Sequence, residues 1–405
     1  MKKEIQEAWK IYSKMTFNAI ILGTDHNSYS VARSFYEAFG KKPIVIGAAV
    51  LVPFYKSKIA DVYTTKGFSS DDELFSNFIN EVIEKREEED FVFFAPTERY
   101  IDTLLRNEKN FNFSYHIPYP DLEWAEKLLK KSEFYSYLEK IDLPYPKTFI
   151  ANKDNIDELD FDGEIFLKAD DYDALLDSSC ENIQKGYHVR NKDEAKDVLR
   201  KVYDSDFRGD FICQQFINGG QGSEYSLNGY RASDGKISFV LARNLLSDLR
   251  PMWVGNHLVQ VDSDEEIMYD LAEKIVTSLD YHGLFNLDFK KDSKTGEIFV
   301  LEMNIRQGRT FYYSTLAGVN LIELAINDLI FGKTEAKKTQ NPFRLQAISS
   351  KKAYENVEKE LKEEFNKKGR EENSAIHVIS DYDDNMLRKL KVNESIKRQE
   401  KELFD

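Results

Sequence analysis

An α/β fold divided among more than one domain is what this sequence predicts. Three observations point to it. The first strongly patterned stretch, "FNAIILGTDHNSYSVARSFYEAFGKKPIVIG" (17–47), reads as strand, turn, helix, strand. A segment with two prolines, "DLPYPKTFIA" (142–151), then interrupts two regions of mixed pattern. Finally, 405 residues exceed the roughly 250–300 at which a single core stops growing.

Taken in order, residues 18–22 form a short apolar run ended by Gly23, and 30–40 have helical spacing closed by Gly40. The next apolar stretch, "PIVIGAAVLVPF" (43–54), fits a buried strand and its turn, and "DFVFFAPT" (90–97) a further strand. The turn "GTDHNS" lacks GxGxxG, which argues against a dinucleotide site. Residues 121–140 are helical by apolar spacing. Beyond the prolines come a strand at 163–169, a helix at 191–205 and a strand at 210–217. The glycine-rich "NGGQGSEYS" (218–226) reads as a loop, followed by a strand at 236–246 and a helix at 265–279. Residues 335–405 are highly charged and helix-prone around a short strand-like "AIHVIS", and read as an appended module.

Composition narrows the function. The chain is 41% hydrophobic and 13% aromatic, a globular balance. Its formal net charge of −15 argues against broad nucleic-acid binding. Residues 335–405 nearly balance their charges, so the acidity lies upstream, and an anionic ligand there needs local cations or a metal. Two cysteines, Cys180 and Cys213, make no disulfide framework and fit a reducing cytoplasm. The start of the chain has no secretory signal pattern, and the longest apolar stretch is well short of the ~20 residues of a membrane helix.

One constellation carries chemistry. "GLFNLDFKKDSKTGEIFVLEMNIRQG" (283–308) reads as a hairpin turning at "DSKTG". Alternation puts Phe285, Leu287 and Phe289 on one face with Phe299, Leu301 and Met303, leaving Asp288, Glu302 and Asn304 together on the other. Two carboxylates and an amide oxygen suit Mg²⁺, which prefers oxygen ligands and shares its sphere with substrate phosphates. Arg306 and Arg309 follow, and a guanidinium fork matches phosphate oxygens. The competing reading is a solvated sheet face with surface ion pairs.

Asp288 with Glu302-x-Asn304-x-Arg306 resembles the metal and phosphate signature of the ATP-grasp ligases. "ILGTDHNSYSVARSFYEAFG" (21–40), "DLPYPKTFI" (142–150) and "NIRQGRTFYYSTLAGVNL" (304–321) together resemble the D-aspartate ligases within that family. The resemblance spans roughly residues 17–332. It implies an ATP-grasp fold: a Rossmann-like preATP-grasp domain (1–120), a linker helix and lid (121–215), a central subdomain with the metal and phosphate site (216–334), and the C-terminal module (335–405).

It implies ATP and Mg²⁺, with Mn²⁺ as a substitute, held by Asp288, Glu302 and Asn304. Lys131 and Lys168 fall where the family carries its ATP lysines. Gln214, Gln215, Phe216 and Ile217 fall at its adenine hinge. The stretch after Lys168 is acidic and nearly free of glycine, unlike the family's phosphate loop, and Lys185 is the cation there. Glu224 either holds ribose or decorates a loop. The implied reaction makes an acyl phosphate from a carboxylate, which an amine then attacks, with Arg306 and Arg309 on the transferred group.

Implied substrates are a small amino acid, D-aspartate, and a peptidoglycan-precursor peptide whose lysine amine accepts it. Asp25 and Asn27 either reach that substrate or cap the helix after the first strand. Arg243 and Arg250 either bind a substrate carboxylate or lie on the surface. His26, His257 and His282 are candidates for the base, against a structural role for each. Other amino-acid and amine pairs, as in dipeptide synthesis, and a non-catalytic nucleotide-binding regulator are the alternatives. The chain acts alone or as an oligomer.

Overall fold

A computed structural model of the chain describes residues 2–170, 172–184, 186–248, 250, 253 and 255–404. The first unit is a five-stranded parallel sheet of β1 (Phe17–Leu22), β2 (Ile44–Gly47), β3 (Asp61–Thr64), β4 (Asp90–Phe94) and β5 (Ser114–His116), in the order β3-β2-β1-β4-β5. β1 is apolar at five of six positions and buried throughout, as a strand covered on both faces must be. The strand order reverses between β1 and β4, so a crevice opens beyond their carboxyl ends. Asp25 caps the helix His26–Phe39 there, its Oδ1 accepting from the Ser28 N–H (3.0 Å). Gly23, at φ +89°, makes the turn, and a Cβ on it would meet Tyr100 at 2.8 Å.

Helical spacing across 121–140 resolves into two helices, Leu122–Leu129 and Lys131–Lys140. Lys130 is extended (ψ 115°) and breaks the run, so Lys131 begins a new helix. Its N–H donates to Asp170 Oδ1 (3.2 Å).

The second unit is an antiparallel sheet of β6 (Thr148–Ala151), β7 (Ile165–Ala169), β8 (Tyr187–Val189) and β9 (Phe211–Gln215), in the order β6-β9-β7-β8. With the helix Lys192–Tyr203 it buries a core of its own, including Leu167, Leu199 and Phe211. A unit with a private core can move as a body.

The third unit is a seven-stranded sheet of β10 (Glu224–Arg231), β11 (Ile237–Ser247), β12 (His257–Asp262), β13 (Gly283–Lys291), β14 (Ile298–Asn304), β15 (Arg344–Gln346) and β16 (Ser374–Ile376), in the order β14-β13-β10-β11-β12-β15-β16. The glycine-rich loop ends sooner than its composition suggests, because Glu224 already pairs with Asn244. β13 and β14 form the expected hairpin, with Gly296 at φ +77° in its turn. Strict alternation fails on the return strand, however. Asp288 lies opposite Glu302 but Phe289 opposite Val300, so Leu301 is an extra, bulged residue. The phase flips there, and Ile298 and Val300 are buried while Phe299 and Leu301 are only half-buried.

Residues 335–405 are more than an appendage. β15 and β16 extend the central sheet, and the helix Met386–Phe404 packs on the first unit. Buried Arg388 donates to the carbonyls of Pro53 and Val378 and pairs with Asp383 (2.9 Å). Asp383 also accepts from the Tyr29 and Ser57 hydroxyls and the Lys58 N–H. Among the described residues no helix is long and apolar enough to cross a membrane.

Candidate active site

The bulge leaves the polar row intact. Asp288 is registered opposite Glu302 and Asn286 opposite Asn304, on the face turned toward the first unit. β10 extends the row, with Ser226 beside Asp288 and Asn228 beside Asn286. Ser226 Oγ donates to Asp288 Oδ1 (2.6 Å), and Asn304 Nδ2 donates to Asn286 Oδ1 (2.9 Å). Asn228 accepts from the Gly308 N–H (2.5 Å) and donates to Tyr313 Oη (2.7 Å). Gly308 is needed for that approach, since a Cβ would stand 3.2 Å from the Asn228 amide and from Asn286 Cγ.

Electrostatics single out the facing carboxylates. Burial, then the Glu302 charge, raises the Asp288 carboxyl well above the usual range. Burial pushes Glu302 the same way, but Lys168, Lys131 and Arg306 outweigh it and hold Glu302 below its ordinary value. Facing carboxylates favour a proton on one of them, here Asp288, and a dication can take that proton's place. Asn304 Oδ1 accepts from Arg306 Nη2 (3.3 Å), so as a metal ligand it would share its second lone pair. The set is two carboxylates and an amide, and among the described residues no group of three or more His, Cys, Asp or Glu competes for a metal. The donors fit Mg²⁺.

The cations converge on the same place. Lys131, Lys168, Glu302, Asn304 and Arg306 line one cavity of about 310 Å³ at the edge of β14. Burial pushes the Lys168 ammonium down, against the pull of Glu302, Asp170 and Asp288. Arg306 donates to Glu98 Oε1 (3.2 Å), while its buried Nε has no partner. A larger cavity, about 570 Å³, opens on the other side of the carboxylates. Asp25, Asn27, Pro96 and Thr97 wall it from the crevice of the first sheet. Arg309 lies across from them, donating to Asn256 Oδ1 (2.8 Å).

The expected residues divide as follows. Glu302, Asn304 and Arg306 line both cavities, and Asp288, Asp25, Asn27 and Arg309 line the larger. Asp25 caps a helix and also faces the larger cavity. Asn27 donates to the Pro96 carbonyl (3.3 Å), and its buried Oδ1 is unpartnered.

Gln214–Ile217 sit where β9 leaves the lid, outside both cavities. Gln214 is buried and donates to Thr148 Oγ1 (2.9 Å), whereas Gln215 is exposed. The Phe216 N–H is already bonded to the Glu164 carbonyl (3.0 Å), so it is not free for adenine, and its ring stacks on His188 at 3.8 Å. Ile217 is buried. Glu224 pairs with Lys290 (3.6 Å). Lys185 lies outside the described residues.

Arg243 does not reach the site. It is registered opposite Tyr225, one residue out of phase with Ser226, so it points to the other face of the sheet. There its Nε donates to the Gly222 carbonyl (2.8 Å). Arg250 is bound by Asp248 (2.6 Å) and Glu402 (2.9 Å). His282 lies away from both cavities, against the Ala232 carbonyl (2.9 Å). His257 does line the larger one, near Ser226, Asn244 and Ser247. Ser226 and Asn228 are the residues that sequence reasoning missed, whereas Asn286 shares the polar face with Asp288 by alternation. Alternation with Tyr225 and Leu227 marks the β10 pair, but only the β10–β13 register brings them to Asp288.

Known proteins share this architecture. A family model described as ATP-grasp in the biosynthetic pathway with Ter operon matches residues 221–351, the span from β10 past β15 that holds the polar row. D-aspartate ligase of Enterococcus faecium (strain Aus0004) is 29% identical over 373 residues, 87% of this chain and 89% of that protein. Among solved structures, N5-carboxyaminoimidazole synthetase from Staphylococcus aureus, complexed with ADP, matches with a TM-score of 0.58 at 15% identity over 81% of each chain. L-amino acid ligase from Bacillus licheniformis matches with a TM-score of 0.56 at 14% identity, over 78% of this chain and 74% of that one. In fold the chain is similar to these solved enzymes, its residues 221–351 match an ATP-grasp family model, and over most of its length it resembles D-aspartate ligase.

Proposed function

We propose that the chain is an ATP-dependent carboxylate–amine ligase that activates D-aspartate as an acyl phosphate and joins it to the lysine side-chain amine of a peptidoglycan-precursor peptide. The observation that carries the reaction class is the convergence of the opposed Asp288 and Glu302 with Lys168, Lys131 and Arg306. The donor rests on the 29% identity to D-aspartate ligase, and the acceptor on the sequence resemblance to those ligases.

Attack of a carboxylate on the γ-phosphorus of ATP spreads negative charge over the phosphoryl oxygens, so catalysis is positioning plus charge stabilisation. Asp288, Glu302 and Asn304 would hold Mg²⁺, which when bound neutralises phosphate charge. Lys131 and Lys168 bring ammonium groups to the phosphate side of those carboxylates. Arg306, next to both cavities, orients the transferred group between donor and nucleotide. The larger cavity receives the donor, with Asp25 placed to attract its ammonium group. Water would hydrolyse an acyl phosphate, and the lid, which carries Lys168 on β7, is the part that excludes it. The amine then displaces phosphate, forming the amide.

The test is ADP release with Mg²⁺ and ATP across D- and L-amino acids, with and without a lysine-containing muropeptide precursor. ADP that needs D-aspartate and rises with the precursor is the expected result. ADP with another amino acid keeps the mechanism and moves the substrate. No ADP with any donor, despite ATP binding, overturns the ligase reading.

A further inference from the structure

The larger cavity has a side chamber of about 320 Å³ that no part of the ligation chemistry above uses. The two share Trp253, Asn256, His257, Arg309 and Thr310, so Arg309 stands at the threshold between them. The C-terminal segment builds the far wall. Ser395, Arg398, Gln399 and Glu402 recur on the last helix at i, i+3, i+4 and i+7, one stripe turned into the chamber. His377, just past β16, completes the wall.

Charge in this chamber is unbalanced. Its two acids, Asp248 and Glu402, are both bound to Arg250. Arg309 and Arg398 form no ion pair among the described residues. His377 is 6% exposed, its Nδ1 is buried without a hydrogen-bond partner, and its ring stacks on His26 at 5.2 Å. Burial first, then the charges of His26, Arg309 and Arg33, pushes the His377 imidazole well below its ordinary value. A chamber lined by three guanidiniums and two carboxylates, with an orphaned buried imidazole nitrogen on its far wall, carries a net positive charge and suits an anion with hydrogen-bonding capacity.

We propose that this chamber holds the second carboxylate of a dicarboxylic donor, the one not being activated, on Arg309 and Arg398 with His377 beside them. The inference rests on the amino-acid ligase reading and deepens it: the C-terminal segment selects the donor. A monocarboxylic amino acid placed with its reacting carboxylate at the Asp288–Glu302 face would leave the chamber's cations unpaired.

Calorimetric titration of the full chain with ADP and Mg²⁺ tests this, using D-aspartate and D-alanine as probes. D-aspartate should bind at least about tenfold more tightly than D-alanine, the value of one charge-assisted contact. Arg398→Gln and His377→Gln should each erode that preference, and Arg398→Lys should retain most of it, while ADP affinity holds. Arg398 is exposed, so its variants should fold. Equal binding of the two probes, binding of neither, or full preference in both Gln variants would overturn the proposal. ADP release with a monocarboxylic donor alone would instead refute D-aspartate as the substrate, a result read separately from the probe titration.

Discussion

Replacing Asp288 by asparagine removes one of two facing charges and tests the site without substrate. Directly opposed antiparallel residues have Cβ atoms about 5 Å apart, and two like charges at that separation repel by about 3 kcal/mol at an effective dielectric near 20. Lys168, Lys131 and Arg306 already offset part of this at Glu302. Relief in the metal-free protein should therefore be about 1–2 kcal/mol, or roughly 1–2 °C in Tm for a chain of 405 residues. The sign follows from linkage. Asp288 has a folded pKa above its unfolded value of 3.8, so its proton stabilises the fold fully below that value and is lost as pH rises through the folded one. Asp288→Asn should thus match the wild type near pH 4 and exceed it at pH 8 in EDTA. Ser226 Oγ and Asn286 Nδ2 can still donate to the amide oxygen of the substituted side chain, and its NH₂ group can donate to Glu302. With Mg²⁺ and nucleotide the order should reverse, and turnover should fall at least about 100-fold. A Asp288→Asn variant no more stable than wild type at pH 8, or one stabilised equally by Mg²⁺ and nucleotide, would refute the shared-proton account.

Lys168→Met should weaken nucleotide binding by about tenfold or more, measured by calorimetry, and raise the Glu302 pKa; unchanged affinity would remove Lys168 from the phosphate site. Arg243→Ala should leave kcat and both substrate KM values within about twofold, because Arg243 faces away from the cavity; a large KM change would contradict that placement. Arg388→Met strands buried Asp383 without its cation and should cost about 3–5 kcal/mol in urea unfolding of the full chain. A cost under about 1 kcal/mol there would mean that the junction is soft.

How legible the site was depended on the range of each signal. Asp288 facing Glu302 could be read because a hairpin is local and its polar and apolar residues alternate. The bulge at Leu301 could not, since one extra residue changes no composition and merely shifts the phase of Phe299 and Val300. Ser226 and Asn228 meet Asp288 and Asn286 across about sixty residues of chain, and no local pattern encodes that register. The same missing register put Arg243 among the substrate residues. In residues 335–405, strands of three residues are too short for any period to show. The stripe at 395, 398, 399 and 402 is polar, which on a helix ordinarily means solvent.

The same stripe shows how this fold makes an enclosed site from open parts. A sheet crevice supplies Asp25 and Asn27, a second sheet the carboxylates, and a lid with its own core Lys168. None of these encloses a substrate by itself. If the smaller cavity takes the nucleotide as proposed, the lid would seal only that side, because Lys168 and Lys131 share their cavity with Glu302 and Arg306 but not with His26 or Asp248. The opposite side needs a fixed wall, and the final helix provides one while Arg388 and Asp383 anchor it to the first unit. On the proposed function, a moving door on the phosphate side and a fixed wall on the donor side would let the site exclude water during transfer while keeping its grip on the donor.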